Sequence, residues 1–154
     1  MSVEFQDFSI QVKEALDEAA LIGLELAASE IESAAKRGSR VDSGYLKGLW
    51  KHQVDDSAKE ATVGSPEQNA IWEEFGTGEH AAHGDGRKGG WYVPEAELSP
   101  KAKKKLGYRT KLKDGKYYYH TYGKKPNHTL QKAFESKKNT AIRLIKRSIK
   151  EAMK

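Results

Sequence analysis

The chain has 154 residues, of which 37% are hydrophobic and 32% charged, and it contains no cysteine. The length predicts one domain with one hydrophobic core, and the lack of cysteine excludes disulfides, thiol catalysis and cysteine-ligated zinc. No run of apolar residues approaches the roughly 20 that cross a bilayer. Met1–Ser9 lacks the basic start and apolar run of a signal peptide, so we expect no membrane segment and no secretion by that route. The lack of cysteine leaves the redox compartment open, with synthesis in a reducing cytoplasm as the simpler interpretation.

Charge is divided unevenly along the chain. Residues 1–100 carry 9 Lys and Arg against 19 Asp and Glu, a net charge of −10. Residues 101–154 carry 18 against 3, a net charge of +15. A basic half is typical of a protein that binds nucleic acid or another polyanion. Two further interpretations stay open: attraction between the halves of neighbouring copies, and simple solvation of two long helices.

A long amphipathic helix is predicted from Phe5 to Lys36. Apolar residues recur there at steps of three and four, which is the spacing of one helix face. Lys36 and Arg37 suit the C-terminal end of a helix, and Gly38 predicts its stop. The predicted stripe consists of Phe5, Phe8, Val12, Leu16, Ala19, Gly23, Ala27, Ile31 and Ala34.

Short elements fill the next part of the chain. Asp42 or Ser43 can cap a short helix, and two short strands are predicted at Lys51–Asp55 and Glu60–Val63. Pro66 opens a second short helix. This helix is predicted over residues 67–75, with an apolar side formed by Ala70, Ile71, Trp72 and Phe75.

The segment from Gly78 to Gly90 is glycine-rich and is predicted to be a loop. Trp91–Pro94 reads as a short strand, and Pro100–Lys105 as a basic helical turn.

The last elements are a hairpin and a helix. The residues Lys113-Asp114-Gly115-Lys116 form a strong hairpin turn signal, leading into a predicted strand at Tyr117–Tyr122. A helix is then predicted from His128 to the end. Its apolar positions are Leu130, Ala133, Phe134, Ala141, Leu144, Ile145, Ile149 and Ala152.

These elements predict an α+β fold. Long N-terminal and C-terminal helices pack on a small antiparallel sheet, with a glycine-rich loop and hairpin excursion over residues 76–116. The whole chain, residues 1–154, is interpreted as a single domain.

Catalytic signatures are weak, and no enzyme is predicted. His80 and His83 stand three apart on a flexible loop, so a metal-dependent hydrolase is the lowest-ranked alternative and no cofactor or metal is expected. Glu73 and Glu74 are adjacent on a helix and point apart, which argues against an acid–base pair. Ser43 has no histidine partner nearby in the sequence.

The tyrosine strand offers an alternative function. Alternation places Tyr118, His120 and Tyr122 on one face, where exposed aromatic rings beside lysines could stack on bases. The other interpretation is core packing, with a cross-strand aromatic pair to Trp91 or Tyr92. The alternative function is therefore a basic nucleic-acid-binding protein that uses this strand and the C-terminal helix.

Four anchors, in this order, resemble the tail-completion proteins, also called head–tail joining or neck proteins, of long-tailed bacteriophages and prophages. The resemblance spans residues 41–134. Asn127-His128-Thr129 and Ile71-Trp72 depart from the usual proline–phenylalanine and tyrosine of that family. The anchors are Val41-Asp42-Ser43-Gly44-x-Leu46, Val63-Gly64, Ala70-Ile71-Trp72-Glu73-Glu74-Phe75-Gly76-Thr77-Gly78, and Gly123-x-x-Pro126-Asn127-His128-x-Leu130-x-x-Ala133-Phe134.

The resemblance implies a structural, non-enzymatic subunit of the virion. Copies would form a ring, six-fold by the same resemblance, between the head connector or stopper and the tail terminator or tail tube. DNA would pass through its channel without sequence-specific binding. We expect the arm Gly84–Trp91 to order on assembly and the basic C-terminal helix to meet an acidic surface. Charge reversal at Lys146, Arg147 and Lys150 is expected to weaken assembly. The candidate interface residues are Trp91, Tyr92, Arg143, Lys146, Arg147 and Lys150.

Overall fold

A computed structural model describes residues 8–40, 45–112 and 114–154, with the backbone alone at 45, 46 and 111. The predicted α+β class is confirmed. The helices are α1 (Ser9–Gly38), α2 (Tyr45–Gly48), α3 (Gln68–Phe75), α4 (Pro100–Leu106) and α5 (Thr129–Ala152). The strands are β1 (Lys51–Asp55), β2 (Glu60–Gly64), β3 (Trp91–Pro94), β4 (Arg109–Lys111) and β5 (Tyr117–Thr121). Short 3₁₀ helices lie at Gly78–His80 and Glu95–Glu97.

The chain divides into two compact units. The helical unit contains α1, the β1–β2 hairpin and α5 from Leu130 onward. The sheet unit contains α2, α3, α4 and the strands β3, β4 and β5. The expectation of a single domain stays a prediction, and each unit is described by itself.

Small side chains let α1 and α5 approach closely in the helical unit. A Cβ added at Gly23 would lie 2.8 Å from the Cα of Ile145, and Lys137 forms an ion pair with Glu30 at 2.9 Å. Residue numbers rise along α1 while they fall along α5, so the two helices are antiparallel. The buried apolar residues here are Ala19, Ala27, Ala28, Ile31 and Ala35 of α1 with Ala133 and Ala141 of α5.

The predicted stripe of the first helix is partly wrong. Ala19, Gly23, Ala27 and Ile31 are buried as predicted, whereas Phe8, just before α1, and the side chains of the first turns of α1 are exposed. Phe5 lies outside the described residues. Counting along the antiparallel contacts, these turns lie opposite positions beyond Ala152, where α5 ends. Val12 is exposed for the same reason, and Phe134 is also exposed, on α5.

The β1–β2 hairpin matches the prediction. Its strands are antiparallel, with Lys51 opposite Gly64 and Asp55 opposite Glu60. The Asp55 carboxylate closes the turn by accepting hydrogen bonds from the Ser57 hydroxyl and the Ala58 amide. A polar side chain that satisfies turn amides favours this tight connection.

The sheet unit is built on a three-stranded antiparallel sheet in the order β3-β5-β4. Trp91 pairs with Thr121 and Arg109 with Tyr119, so the predicted tyrosine strand is the central one. Its Tyr119 side chain is buried. Lys113, part of the predicted turn, lies outside the described residues. In the described ranges, no helix is long and apolar enough to cross a membrane.

Candidate functional site

The helix α3 buries a charged residue and exposes its large apolar side chains. The sequence predicted an apolar side of Ala70, Ile71, Trp72 and Phe75, but the buried residues of α3 are Ala70 and Glu73. Ile71 is 58% exposed, and Trp72 and Phe75 are also exposed. The prediction is therefore confirmed at Ala70 and wrong at Ile71, Trp72 and Phe75. The buried positions of α3, Ala70 and Glu73, are three residues apart and so lie on one side of the helix. A carboxylate can be buried at position 73 because two cations contact it there.

Two cations surround the Glu73 carboxylate. The Lys124 ammonium donates to Glu73 Oε2, and Arg40 Nε lies 3.6 Å from Glu73 Oε1. The side chain of Glu73 is 1% exposed, while those of Arg40 and Lys124 are 43% and 42% exposed. The burial penalty therefore falls on the carboxylate, because both cations keep much of their hydration.

The segment from Tyr122 to His128 runs along the C-terminal end of α3, and we call it the strap. The strap amides of Asn127 and His128 donate to the carbonyls of Glu73 at 2.7 Å and Glu74 at 3.3 Å. The last carbonyls of a helix have no partner within the helix. The strap supplies those partners, so it stabilises the end of α3.

The strap is also held beyond the helix end. The Thr77 amide donates to the Lys124 carbonyl, and the Lys124 amide donates to the Thr77 hydroxyl, both at 2.9 Å. The Arg40 guanidinium donates to the Lys125 carbonyl at 3.0 Å. The same arginine thus joins the buried carboxylate to the strap backbone. We call this assembly of α3, strap and cations the Glu73 corner.

Two glycines permit the close contact within the Glu73 corner. Gly123 has φ of +108°, and a Cβ there would lie 2.0 Å from the Thr77 carbonyl oxygen. Gly78 has φ of +60°, and its Cβ would lie 2.3 Å from the Tyr122 carbonyl oxygen. Any side chain would separate the two backbones, so glycine is required at both positions.

The glycine-rich loop after residue 78 packs back on the corner. A Cβ at Gly86 would lie 1.9 Å from the Gly78 carbonyl oxygen, and the Gly89 amide donates to the Glu79 carboxylate at 3.0 Å. The Arg87 guanidinium lies 5.8 Å from the centre of the Trp91 ring. These contacts attach the proposed arm to its own chain at several points, and its ordering on assembly stays a prediction.

The two loop histidines do not form a metal site with other described residues. His80 and His83 are exposed, and the His83 ring lies 5.0 Å from that of Phe75. Across the described ranges, no group of three or more His, Cys, Asp or Glu side chains is arranged to hold a metal ion.

An exposed aromatic group lies on one face of the three-stranded sheet. The His120 ring stands between those of Tyr92, at 4.9 Å, and Tyr122, at 4.8 Å. Both tyrosines are exposed. The predicted cross-strand aromatic pairing is confirmed at Tyr92, and the predicted alternation is confirmed because the neighbouring Tyr119 points the other way and is buried. Trp91 is half-buried.

The outer side of α5 is basic. Arg143, Lys146, Arg147 and Lys150 are all exposed, and spacings of three and four place them on one side of the helix. Arg147 pairs with Glu151 at 3.7 Å. The other three form no ion pair with any residue in the described part of the chain.

The anchors of the resemblance separate into two groups. The corner brings together Glu74, Phe75, Gly76, Thr77 and Gly78 with Gly123 and Pro126. In the helical unit, Gly64 ends β2, Leu130 is half-buried and Ala133 is buried. Asp42, Ser43, Gly44 and the side chain of Leu46 lie outside what the structure describes.

Sequence reasoning missed the two cations of the corner. Arg40 directly precedes the first anchor and Lys124 lies inside the last one. A signal was present, since a basic residue lies beside the first anchor and another within the last one, while the anchor over residues 70–78 contains Glu73. The corner contains no paired general acid and base: Glu73 is ion-paired and fully buried, whereas Glu74 is half-buried.

A second ionic cluster lies in the helical unit, around His52 of β1. Its Nε2 lies 2.8 Å from a Glu25 oxygen and its Nδ1 lies 2.5 Å from a Glu32 oxygen. The pKa of His52 is raised, chiefly by its hydrogen bond to Glu25 and further by its hydrogen bond to Glu32. Burial acts in the opposite direction but is outweighed. Burial by itself would raise the pKa of Glu32. The hydrogen bonds from Lys36 and His52 together outweigh burial, so the pKa of Glu32 is lowered.

The His52 cluster predicts that stability falls as pH rises. The folded-state pKa lies above the ordinary value of 6.5, so the stabilisation is complete below about pH 6.5 and is lost as pH rises through the folded-state pKa. We expect the urea midpoint to fall as pH rises above about 6.5, and His52→Gln to remove part of that fall. His80→Gln, at an exposed histidine, is the control. Equal pH profiles for His52→Gln and the unmodified protein would contradict the prediction.

Comparisons with known proteins give no match: none of the family models, none of the curated proteins and none of the solved structures is similar to this chain.

Proposed function

We propose that this protein is a structural subunit of the neck of a long-tailed bacteriophage or prophage. In this proposal, copies form a six-fold ring that joins the tail tube to the head connector and leaves a channel for DNA. The partners are other copies of the chain, the connector or stopper on the head side, and the tail terminator or tube on the other. The protein is made in the bacterial cytoplasm, ends in the virion and catalyses no reaction.

The observation that carries the proposal is the Glu73 corner. The two most extended anchors of the resemblance are distant in the sequence, yet Thr77 and Lys124 exchange backbone and side-chain hydrogen bonds there. Because the two anchors contact each other in the fold, the residues of one depend on those of the other. This supports interpreting the anchors as parts of one pattern. The residues of these two anchors cap a helix end, allow two backbones to approach closely and form an ion pair. These are structural roles, which suits a structural subunit.

The exposed surfaces also support an assembly role. The α3 side chains Ile71, Trp72 and Phe75 leave apolar area in contact with water, and such patches are typical of protein–protein contacts. The basic side of α5 adds unpaired charge on another surface. Both features suit a subunit that buries more of its surface when it assembles.

One observation favours nucleic-acid binding as a second candidate. Tyr92, His120 and Tyr122 form an exposed aromatic group, and exposed rings can stack on bases. No cation–π contact involves these three rings among the described residues, whereas Arg109 lies 4.1 Å from the ring centre of Tyr117, on the other face of β5. The neck proposal is preferred because it accounts for the Glu73 corner as well.

The test measures the mass of the purified chain in solution over a range of protein and salt concentrations, with and without DNA. The neck proposal expects a closed ring, or a monomer that joins rings when connector or tail proteins are added, with no effect of DNA. Tight DNA binding by a monomer at low salt, released at high salt, would instead favour the second candidate, because phosphate contacts are lost steeply with salt.

A further inference from the structure

The two long helices of the helical unit carry opposite charges. The helix α1 contains three basic and six acidic residues, whereas α5 contains seven basic and two acidic ones. Within the described ranges, one ion pair joins them, Lys137 with Glu30. The contact between the helices is otherwise formed by small residues around Gly23. Glu25 and Glu32 pair with His52, so the exposed, unpaired carboxylates described on α1 are those of Glu14 and Glu18, while several lysines of α5 are exposed without a partner among the described residues.

The outer surface of α1 carries a continuous ridge. Residues four apart on a helix are neighbours and form a row along its surface. Ile22 is 51% exposed, and Leu26 is also exposed. Glu14 and Glu18 are exposed and form no ion pair with any described residue. We name this row the acidic ridge: Glu14, Glu18, Ile22 and Leu26.

The outer surface of α5 carries a second ridge with the same spacing. Ile142 is 42% exposed and Phe134 is exposed as well. The lysines of the row are exposed and have no ion-pair partner among the described residues. We name this row the basic ridge: Phe134, Lys138, Ile142, Lys146 and Lys150.

We propose that the acidic ridge of one copy packs against the basic ridge of a second copy of this chain. The helices are antiparallel in this contact, with Glu18 opposite Lys146 and Ile22 opposite Ile142. Glu14 then faces Lys150, and Leu26 lies beside Lys138 and Phe134. In this register Ile22 meets Ile142, Leu26 can contact Phe134 and the methylene stem of Lys138, and the carboxylates of Glu14 and Glu18 each meet an ammonium group.

The contact is head-to-tail, because a surface of one copy meets a different surface of the next. Such contacts generate rings when the rotation between copies closes. The inference rests on the proposed neck function, for which it names the surfaces that join neighbouring subunits.

Charge reversal with rescue tests the contact. In sedimentation velocity over a concentration series, Lys146→Glu/Lys150→Glu should weaken self-association of the full chain by about 100-fold, because like charges then face each other. Glu14→Lys/Glu18→Lys should weaken it similarly, and the quadruple variant should restore it. Lys132→Glu, on α5 but outside the ridge, is the control and should change little.

The absence of native cysteine allows a direct test of the pairing. An equimolar mixture of Glu18→Cys and Lys146→Cys chains should form a disulfide-linked dimer of the two variants on mild oxidation. Gln53→Cys, exposed on β1, replaces Lys146→Cys in the control mixture, which should cross-link far less.

The outcomes separate this inference from the neck proposal. Equal cross-linking in both mixtures, reversal without rescue, or a chain that stays monomeric by itself at all concentrations overturns the ridge contact. A monomer that enters rings once connector or tail proteins are added still supports the neck proposal. Self-association through the ridges combined with salt-sensitive DNA binding supports the ridge contact and counts against the neck proposal.

Discussion

Replacing both Arg40 and Lys124 by alanine will lower the free energy of unfolding by about 4 kcal/mol. The substitutions leave the Glu73 carboxylate buried without a compensating charge, and an uncompensated buried charge is among the most destabilising changes a protein can carry. The Arg40 change also removes the hydrogen bond to the Lys125 carbonyl of the strap. Urea denaturation followed by circular dichroism measures the loss.

A matched variant separates the buried charge from the lost contacts. Glu73→Gln removes the charge and leaves two half-exposed cations that water can solvate, so its loss should be smaller, about 1–3 kcal/mol. Lys125→Ala, at an exposed neighbour of Lys124, should stay within about 0.5 kcal/mol of the unmodified protein. A Glu73→Gln loss equal to that of the double variant would show that the burial of the charge is not the dominant factor.

Replacing Gly123 by alanine will lower the free energy of unfolding by about 3 kcal/mol. The added Cβ would lie 2.0 Å from the Thr77 carbonyl oxygen, and the backbone at this position has a φ of +108°. The Thr77 carbonyl oxygen belongs to the backbone, so no change of side-chain rotamer can relieve the clash. The strap would therefore move away from α3. The hydrogen bonds of Thr77 to Lys124 would be lost with that movement.

Gly115→Ala is the control for the Gly123 prediction. Gly115 also has a positive φ, of +79°, but no atom lies within 4 Å of an added Cβ. Its loss should be about 1 kcal/mol, the cost of the left-handed conformation by itself. Thermal denaturation of both variants measures the difference. Equal losses would mean that the close contact between Gly123 and Thr77 contributes nothing beyond backbone conformation.

Much of the secondary structure could be predicted because its causes are local. The strands Lys51–Asp55 and Trp91–Pro94 match their predictions, since β propensity and turn residues mark both ends. The helix ends at Gly38 and Phe75 were likewise marked by glycine. The strand β4 was not itself predicted, because it is three residues long and has an ordinary basic composition.

The site could be predicted in part. The anchors containing Gly76 and Gly123 were identified through the resemblance, and both lie in the Glu73 corner. The inward face of α3 was predicted wrongly, because hydrophobicity favours Ile71 and Trp72 for burial over a glutamate. Burial of Glu73 becomes favourable through cations from two other segments of the chain, which no local pattern indicates.

The sequence by itself determined the α+β class, most element boundaries, the aromatic alternation of β5 and the opposite charges of the two long helices. These properties depend on neighbouring residues, whose spacing is read directly from the chain. The tertiary structure decided that Glu73 is inside while Ile71 is outside, that Arg40 and Lys124 meet at one carboxylate, and that Glu25 and Glu32 share His52. Burial and ion pairing depend on which distant segments come together, and that is settled by the packing of the whole fold.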